Sequence, residues 1–325
     1  PEDVRRRIPE IEHVQRIICL MKIRTKTRHP AAAVVNKTAG GMVSDESHRE
    51  LSDMIRGAFA GASVVFAGSG SEIVQAAEHA LGQGSTLIIA GGGDGTISAV
   101  ASVVAGKQAV LGVLPMGTLN HFAKDLGIPA DLPAAVRALA AGHEKKVDVG
   151  EVNGRVFINN SGLGLYPAIV RMREKRQERG ASKTRAAAAA VFRALVHYRL
   201  LSVRVIADGR EIIRKTPIVF VGNNRYSMEG LNAGTRVRLD TGKLSLVMPR
   251  ASGRLRLFWF SLRALVGRDR PGHDLDILSA QELLIGAGHR IVQVTLDGEV
   301  ATMNAPLRYR VRPGALRVMA PMPVQ

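Results

Sequence analysis

Residues 91 to 96 read Gly-Gly-Gly-Asp-Gly-Thr, and this stretch carries the sharpest chemistry in the chain. Glycines let a backbone turn sharply and come close to a ligand. An apolar run, Leu87 to Ala90, reads as a buried strand before them, and Ile97 to Ala105 reads as a helix after them. The helix start offers unpaired N–H groups and a partial positive charge, which suit a phosphate. Asp94 is the unusual member, because its carboxylate repels a phosphate unless a cation lies between them. That predicts Mg²⁺ at Asp94, held largely through water, since Mg²⁺ dehydrates reluctantly. The spacing fits neither the P-loop nor Gly-x-Gly-x-x-Gly, whose third glycine is here Thr96. A tight strand-to-helix turn with Asp94 as its cap is the plain alternative.

Two further stretches bear on the same chemistry. Ala109 to Pro115 reads as a strand, followed by Met116-Gly117-Thr118-Leu119-Asn120-His121-Phe122-Ala123. Gly117 and Thr118 would form a second turn beside the first, at the strand ends where open α/β sheets bind ligands. Near the C-terminus stands Thr295-Leu296-Asp297-Gly298-Glu299. Asp297-Gly298 is a turn signal, and by itself it marks only a hairpin tip with Glu299 in solvent.

Gly92-Gly93-Asp94-Gly95-Thr96 resembles the nucleotide-binding signature of the diacylglycerol kinase catalytic-domain superfamily, which includes sphingosine kinases and bacterial soluble lipid kinases. Phosphofructokinases and NAD kinases share a related motif. The stretch from Pro115 to Ala123 is similar to the family's Pro-x-Gly-Thr-x-Asn-Asp-Phe-Ala block, with His121 in place of Asp and read here as structural. Asp297-Gly298-Glu299 and the continuation Pro313-Gly314-Ala315-Leu316-Arg317-Val318 resemble the family's closing segment. The resemblance spans residues 31 to 320. It implies ATP and Mg²⁺, with nucleotide contacts at Gly91, Gly92, Gly93, Asp94, Gly95, Thr96, Gly117, Thr118 and Asn120. It also implies a metal at Asp94, Glu299 as the base that takes a proton from a lipid alcohol, and Asp94 and Asp297 as its companion catalytic acids. Several positions depart from the pattern. Lys37 replaces a proline after the first strand, and Ala67-Gly68 stand where relatives often carry a nucleotide-contacting Thr. Leu165 and Tyr166 follow the segment Asn159 to Gly164 where many relatives have an acid. Thr241 precedes Gly242 where bacterial relatives place the Asp of a structural Mg²⁺, so that site is not carried over.

Around these motifs, strands and helices alternate from Ala31 to about Asp148: strands at 31–36 and 63–67, helices at 46–60 and 71–81. Then the pattern turns antiparallel. Hairpins are expected at Asn153-Gly154 and Asp208-Gly209, with strands at 217–222, 243–248, 275–285, 290–296 and 307–312. The expected fold is an α/β N-terminal domain with a parallel sheet, like phosphofructokinase or NAD kinase, plus a β-rich antiparallel sandwich. The divisions are a basic segment 1–30, a nucleotide-binding domain 31–147, an acceptor domain 148–306, and a segment 307–325 returning to the first domain.

Composition narrows the partners. The 325 residues, 46% hydrophobic, suffice for two domains. One cysteine, Cys19, excludes an intrachain disulfide and fits a reducing compartment. Lys and Arg number 45 against 28 Asp and Glu, a net charge of +17 that attracts polyanions. With only 4% aromatic residues and none interleaved with the basic ones, the chain lacks a single-strand-binding groove, so an anionic membrane face ranks above nucleic acid. The basic stretch from Ile169 to His197 and a Trp259-bearing helix over 255–263 are candidates for lipid contact. No apolar run approaches the roughly 18 residues of a spanning helix. Pro1 opens the chain without an initiator Met, which fits a fragment. The expectation is a cytoplasmic lipid kinase peripherally bound to the inner membrane face, acting on diacylglycerol or a related lipid alcohol, with a homodimer left open. An NAD kinase-like small-molecule kinase and an inactive nucleotide- or lipid-binding protein are the alternatives.

Overall fold

The computed structural model describes residues 30–41, 44–165, 200–226, 236, 238–249 and 275–322. The N-terminal basic segment with Cys19, Tyr166, the basic stretch 169–197 and the Trp259 helix lie outside the described residues.

Four parallel strands form the first half: β1 Ala31–Asn36, β2 Ser63–Ala67, β3 Leu87–Gly92 and β4 Val110–Pro115, in the order β2-β1-β3-β4. β1, β3 and β4 are apolar runs with almost every residue buried, as expected of strands covered on both faces. The covering helices are α1 Asp45–Ala58, α2 Gly70–Gly82, α3 Asp94–Val104, the short α4 His121–Asp125 and α5 Leu132–Ala140. Ser44, Ser69 and Asp131 cap α1, α2 and α5 by accepting a backbone N–H in the first turn. α3 begins instead at Gly93, with no side-chain cap. The strand order reverses direction at β1, so a crevice opens outside the carboxyl ends of β1 and β3.

The second half is antiparallel. In chain order it contains β5 His143–Val152, β6 Arg155–Phe157, β7 Asn160–Gly164, β8 Leu201–Ala207, β9 Arg210–Thr216, β10 Ile218–Asn223, β11 Leu244–Pro249, β12 Leu275–Ala280, β13 Glu282–Ala287, β14 Ile291–Leu296, β15 Glu299–Asn304 and β16 Leu307–Ala320. β7, β10, β11, β12, β14 and β15 form a six-stranded sheet that packs on β8, β13 and β16. Inward-facing apolar side chains do the packing: Leu163, Val203, Val205, Val219, Leu246 and Ile285 all lie in this second core. The α/β half and the antiparallel sandwich agree with the expected fold class.

Two features differ from the sequence expectation. The division at 147 falls inside β5, which runs unbroken from 143 to 152 and pairs with β16 along both halves. β16 reaches β4 through Arg317↔Val110 and Val318↔Leu111, so one strand ties the sandwich to the parallel sheet. The expected single strand 275–285 is two strands in two different sheets, with Gln281 as the corner. Ala280 and Leu283 are both buried although three residues apart, so the inward face changes parity at Gln281. Asp208 secures the corner by accepting the Gln281 and Glu282 N–H groups.

Candidate active site

The first glycine turn is built by close packing. A Cβ on Gly91 would lie 3.0 Å from Val35 Cγ2 and 3.2 Å from Met116 Sδ. Gly91 is thus wedged between the ends of β1 and β4. A Cβ on Gly92 would meet the Thr96 side chain at 2.5 Å, and Thr96 itself is buried. Both glycines shape the turn from behind. Asp94 occupies the first residue of α3, half-buried, with Gly95 after it.

The second turn lies directly against the first. Met116 N–H donates to Gly92 O at 2.9 Å, and a Cβ on Gly117 would fall 2.5 Å from Gly93 Cα. Asn120, left-handed at φ 50°, folds its amide back on the turn: Oδ1 accepts Gly117 N–H at 2.9 Å and Nδ2 donates to Gly117 O at 2.7 Å. Its polar atoms build the turn. Thr118 and His121 are exposed at the same strand ends. Phe122 N–H donates to Asp94 Oδ1 at 3.4 Å, so Asp94 also joins the start of α4.

The second acid arrives from the sandwich. Glu299 opens β15, exposed, and its Oε1 lies 3.5 Å from where a Gly95 Cβ would be. Glu299 and Gly95 line one cleft of about 790 Å³, together with Ser71, Ser98, Arg155 and Leu296. The structure therefore brings the Asp94 turn and Glu299 together. Asp297, next to this turn, is surrounded by hydrogen-bond donors. Its Oδ2 accepts Ser98 Oγ–H at 2.5 Å and Ile158 N–H at 2.8 Å. Its Oδ1 accepts Asn159 N–H at 2.7 Å and Asn160 N–H at 3.0 Å. With four donors around it, this carboxylate clamps α3 to the start of β7 and holds the turn that presents Glu299. Burial pushes the Asp297 carboxyl above its usual range, while the four donors pull the other way.

The same segment, residues 158–160, is gripped from its other side by a group that sequence reasoning missed. Arg236 is buried and ion-pairs with Asp125 of α4, Nη2 to Oδ2, at 2.7 Å. Its Nη1 donates to Ile158 O at 2.6 Å, and its Nη2 donates to Asn159 Oδ1 at 2.6 Å. The guanidinium lies 5.9 Å from the Phe122 ring centre and 5.5 Å from that of Tyr226. Tyr226 donates its hydroxyl to Asn159 O at 2.9 Å, and burial pushes its phenol to about 12. Asn223 Nδ2 completes the hub by donating to Asp148 O and Ile158 O. Paired asparagines at strand ends, Asn159-Asn160 and Asn223-Asn224, were the available signal. Nothing near Arg236 or Asp125 in sequence marks their pairing.

Asp94 Oδ2 has no partner among the described residues, and those residues contain no group of three acids, histidines or cysteines that could cage a metal. A single open carboxylate oxygen beside a phosphate cradle suits Mg²⁺, which binds through one or two carboxylates plus substrate phosphates. The region around Asp240 is closed differently. Asp240 pairs with Arg238 Nε at 2.9 Å, which holds its carboxyl below the usual range. Thr241 donates its N–H and hydroxyl to Asn224 Oδ1, and Asp148 accepts Gly242 and Gly314 N–H groups.

Among solved structures, the fold is similar to a diacylglycerol kinase from Bacillus anthracis strain Sterne, with a TM-score of 0.66 over 90% of this chain and 97% of that chain at 20% identity. The two share one fold, an α/β domain joined to an antiparallel sandwich. The sequence places it further. Residues 30–152 match the diacylglycerol kinase catalytic domain, and residues 166–320 match the YegS C-terminal NAD kinase beta sandwich-like domain. A Pseudomonas aeruginosa PAO1 protein named "Probable lipid kinase YegS-like" is 30% identical over 250 residues, 75% of this chain and 80% of that protein. A diacylglycerol kinase of Staphylococcus aureus strain JH9 is 45% identical over 85 residues, 26% of this chain and 27% of that protein. The chain belongs to the diacylglycerol kinase catalytic-domain family, among its YegS-like lipid kinases.

Proposed function

We propose that this protein transfers the γ-phosphoryl group of ATP to the hydroxyl of a lipid alcohol, with diacylglycerol as the first candidate. The observation that carries the reading is Glu299 Oε1 lying 3.5 Å from the Cβ position of Gly95, at the uncapped start of α3. An alcohol is a poor nucleophile. A carboxylate that accepts its proton in the transition state contributes roughly 10²–10⁴-fold. Glu299 takes that proton as the alcohol oxygen bonds to the γ-phosphorus and the bond to the β–γ bridging oxygen breaks, releasing ADP. The α3 N–H groups and the turn around Gly117 orient the triphosphate. Mg²⁺, when bound through Asp94, supplies charge neutralisation for the phosphates. Asp297 and Arg236 act at one remove, by fixing the segment between the two halves.

The remaining expectations follow from this reading. The protein would work at an anionic membrane face on the cytoplasmic side, where each surface-near Lys or Arg contributes about 1 kcal/mol. Among the described residues no helix is long and apolar enough to cross a membrane. The test is labelled ATP with a panel of diacylglycerol, sphingosine, NAD and extracted bacterial lipid. Label entering the organic phase supports a lipid acceptor. Label on NAD replaces it with a small-molecule kinase, and label on nothing leaves a binding protein.

A further inference from the structure

The cleft that holds Gly95 and Glu299 also carries Glu78 and, on the wall formed by β6, a basic group. Arg155, the first residue of β6, lines it, and is its only basic lining residue among the described residues. Its side chain is exposed and has no hydrogen-bond or ion-pair partner among the described residues. Some arginines of the sandwich are paired, Arg236 with Asp125, Arg310 and Arg312 with Glu151, and Arg214 with Asp276, whereas the exposed Arg210 and Arg290 share its lack of a side-chain partner among the described residues; Arg155 differs from them in lining this cleft. Arg155 is also carried on an anchored arm. The β5–β6 hairpin turns at Asn153-Gly154, with Asn153 left-handed at φ 46°. Asn153 Nδ2 donates to Asn304 O at 3.0 Å, its Oδ1 accepts Arg308 N–H at 2.8 Å, and its N–H donates to Arg308 O at 3.1 Å. Three hydrogen bonds therefore fix the hairpin that carries Arg155 on the cleft wall.

An uncommitted arginine on a fixed arm is a ready anion site, since a guanidinium meets phosphate oxygens in a planar fork. The described carboxylates of the cleft, Glu78 and Glu299, repel an anion, so Arg155 is the described charged lining group that can pair with one. We propose that Arg155 binds the terminal phosphoryl group of a nucleoside triphosphate and stabilises the charge on its oxygens during transfer. This rests on the phosphotransfer reading above. In the step, the alcohol proton passes to Glu299, the alcohol oxygen bonds to the γ-phosphorus, and the β–γ bond breaks with its electrons leaving on the diphosphate. Arg155 exchanges no proton. It offers donors where negative charge gathers, a role whose removal costs roughly 10²–10³-fold in turnover.

The experiment compares ATP and ADP affinity, each with Mg²⁺, for the wild type, Arg155→Ala and Arg155→Lys, alongside turnover with the best alcohol. The expected result is a loss of roughly tenfold in ATP affinity for Arg155→Ala with ADP affinity unchanged, because only the terminal phosphate loses a donor. Turnover should fall roughly 10²–10³-fold, be partly restored by added guanidinium, and be intermediate for Arg155→Lys. Unchanged ATP affinity, or equal losses for ATP and ADP, overturns the assignment. So does undiminished turnover in Arg155→Ala from an active wild type. If no acceptor is phosphorylated but ATP affinity still falls selectively, the subsite stands and the lipid kinase reading fails.

Discussion

Gly95, next to Asp94, and Glu299 line one cleft, but the two acids are held by different means. Asp94 is placed by its own neighbours in sequence. β3 runs into a glycine turn, Gly92 leaves room for Thr96, and α3 begins at once. Glu299 is placed by partners far along the chain. Its turn is secured by Asp297, whose ligands Ser98 and Asn160 lie 199 and 137 residues away. The glycine turn is thus local geometry, and the placing of Glu299 depends on a polar junction between two layers. That contrast predicts where substitutions act on the fold and where they act on the chemistry.

Arg236→Met should have the largest effect on stability. It leaves Asp125 buried and unpaired, which costs about 3–5 kcal/mol. Urea unfolding would measure it. The double variant Arg236→Met with Asp125→Leu should recover much of the loss, because an apolar pair removes the uncompensated charge. A small effect of the single variant would mean that the junction is not what joins the halves.

Asp297→Asn should cost about 1–3 kcal/mol, since the new amide cannot accept the Ile158 N–H. Turnover should fall with it while ATP affinity holds, which separates the junction from the nucleotide turn. Asp94→Asn should do the reverse. It should lower Mg²⁺-dependent ATP affinity at least about tenfold, equivalent to about 1.4 kcal/mol, and leave unfolding nearly unchanged. Titration calorimetry with and without Mg²⁺ distinguishes them. The smallest effect is expected for Glu151→Gln. Its partners Arg310 and Arg312 are 59% and 35% exposed, so the loss should stay within about 1 kcal/mol.

The same contrast explains what the sequence disclosed. The parallel sheet was legible because its strands are continuous apolar runs and its turns are spelled in glycine. The turn at 117–120 was legible as a block, although not the folding back of Asn120 onto Gly117. The split at Gln281 escaped because 275–285 contains no glycine, proline or asparagine to mark a turn. Only the change in buried parity between Ala280 and Leu283 marks the corner. Asp297 stood in a motif that named it a catalytic acid, and its four donors come from segments that no local pattern connects. Arg236, Asp125 and Tyr226 gave no sequence signal because a buried polar hub is defined by who meets whom in the fold.

The most direct test is label transfer from ATP to diacylglycerol in mixed micelles by the wild type and by Glu299→Gln, with ATP affinity measured on both. The account predicts labelled lipid from the wild type, at least about a hundredfold less from the variant, and matching ATP affinities. Equal turnover by the two proteins, or no labelled lipid from the wild type, would contradict it.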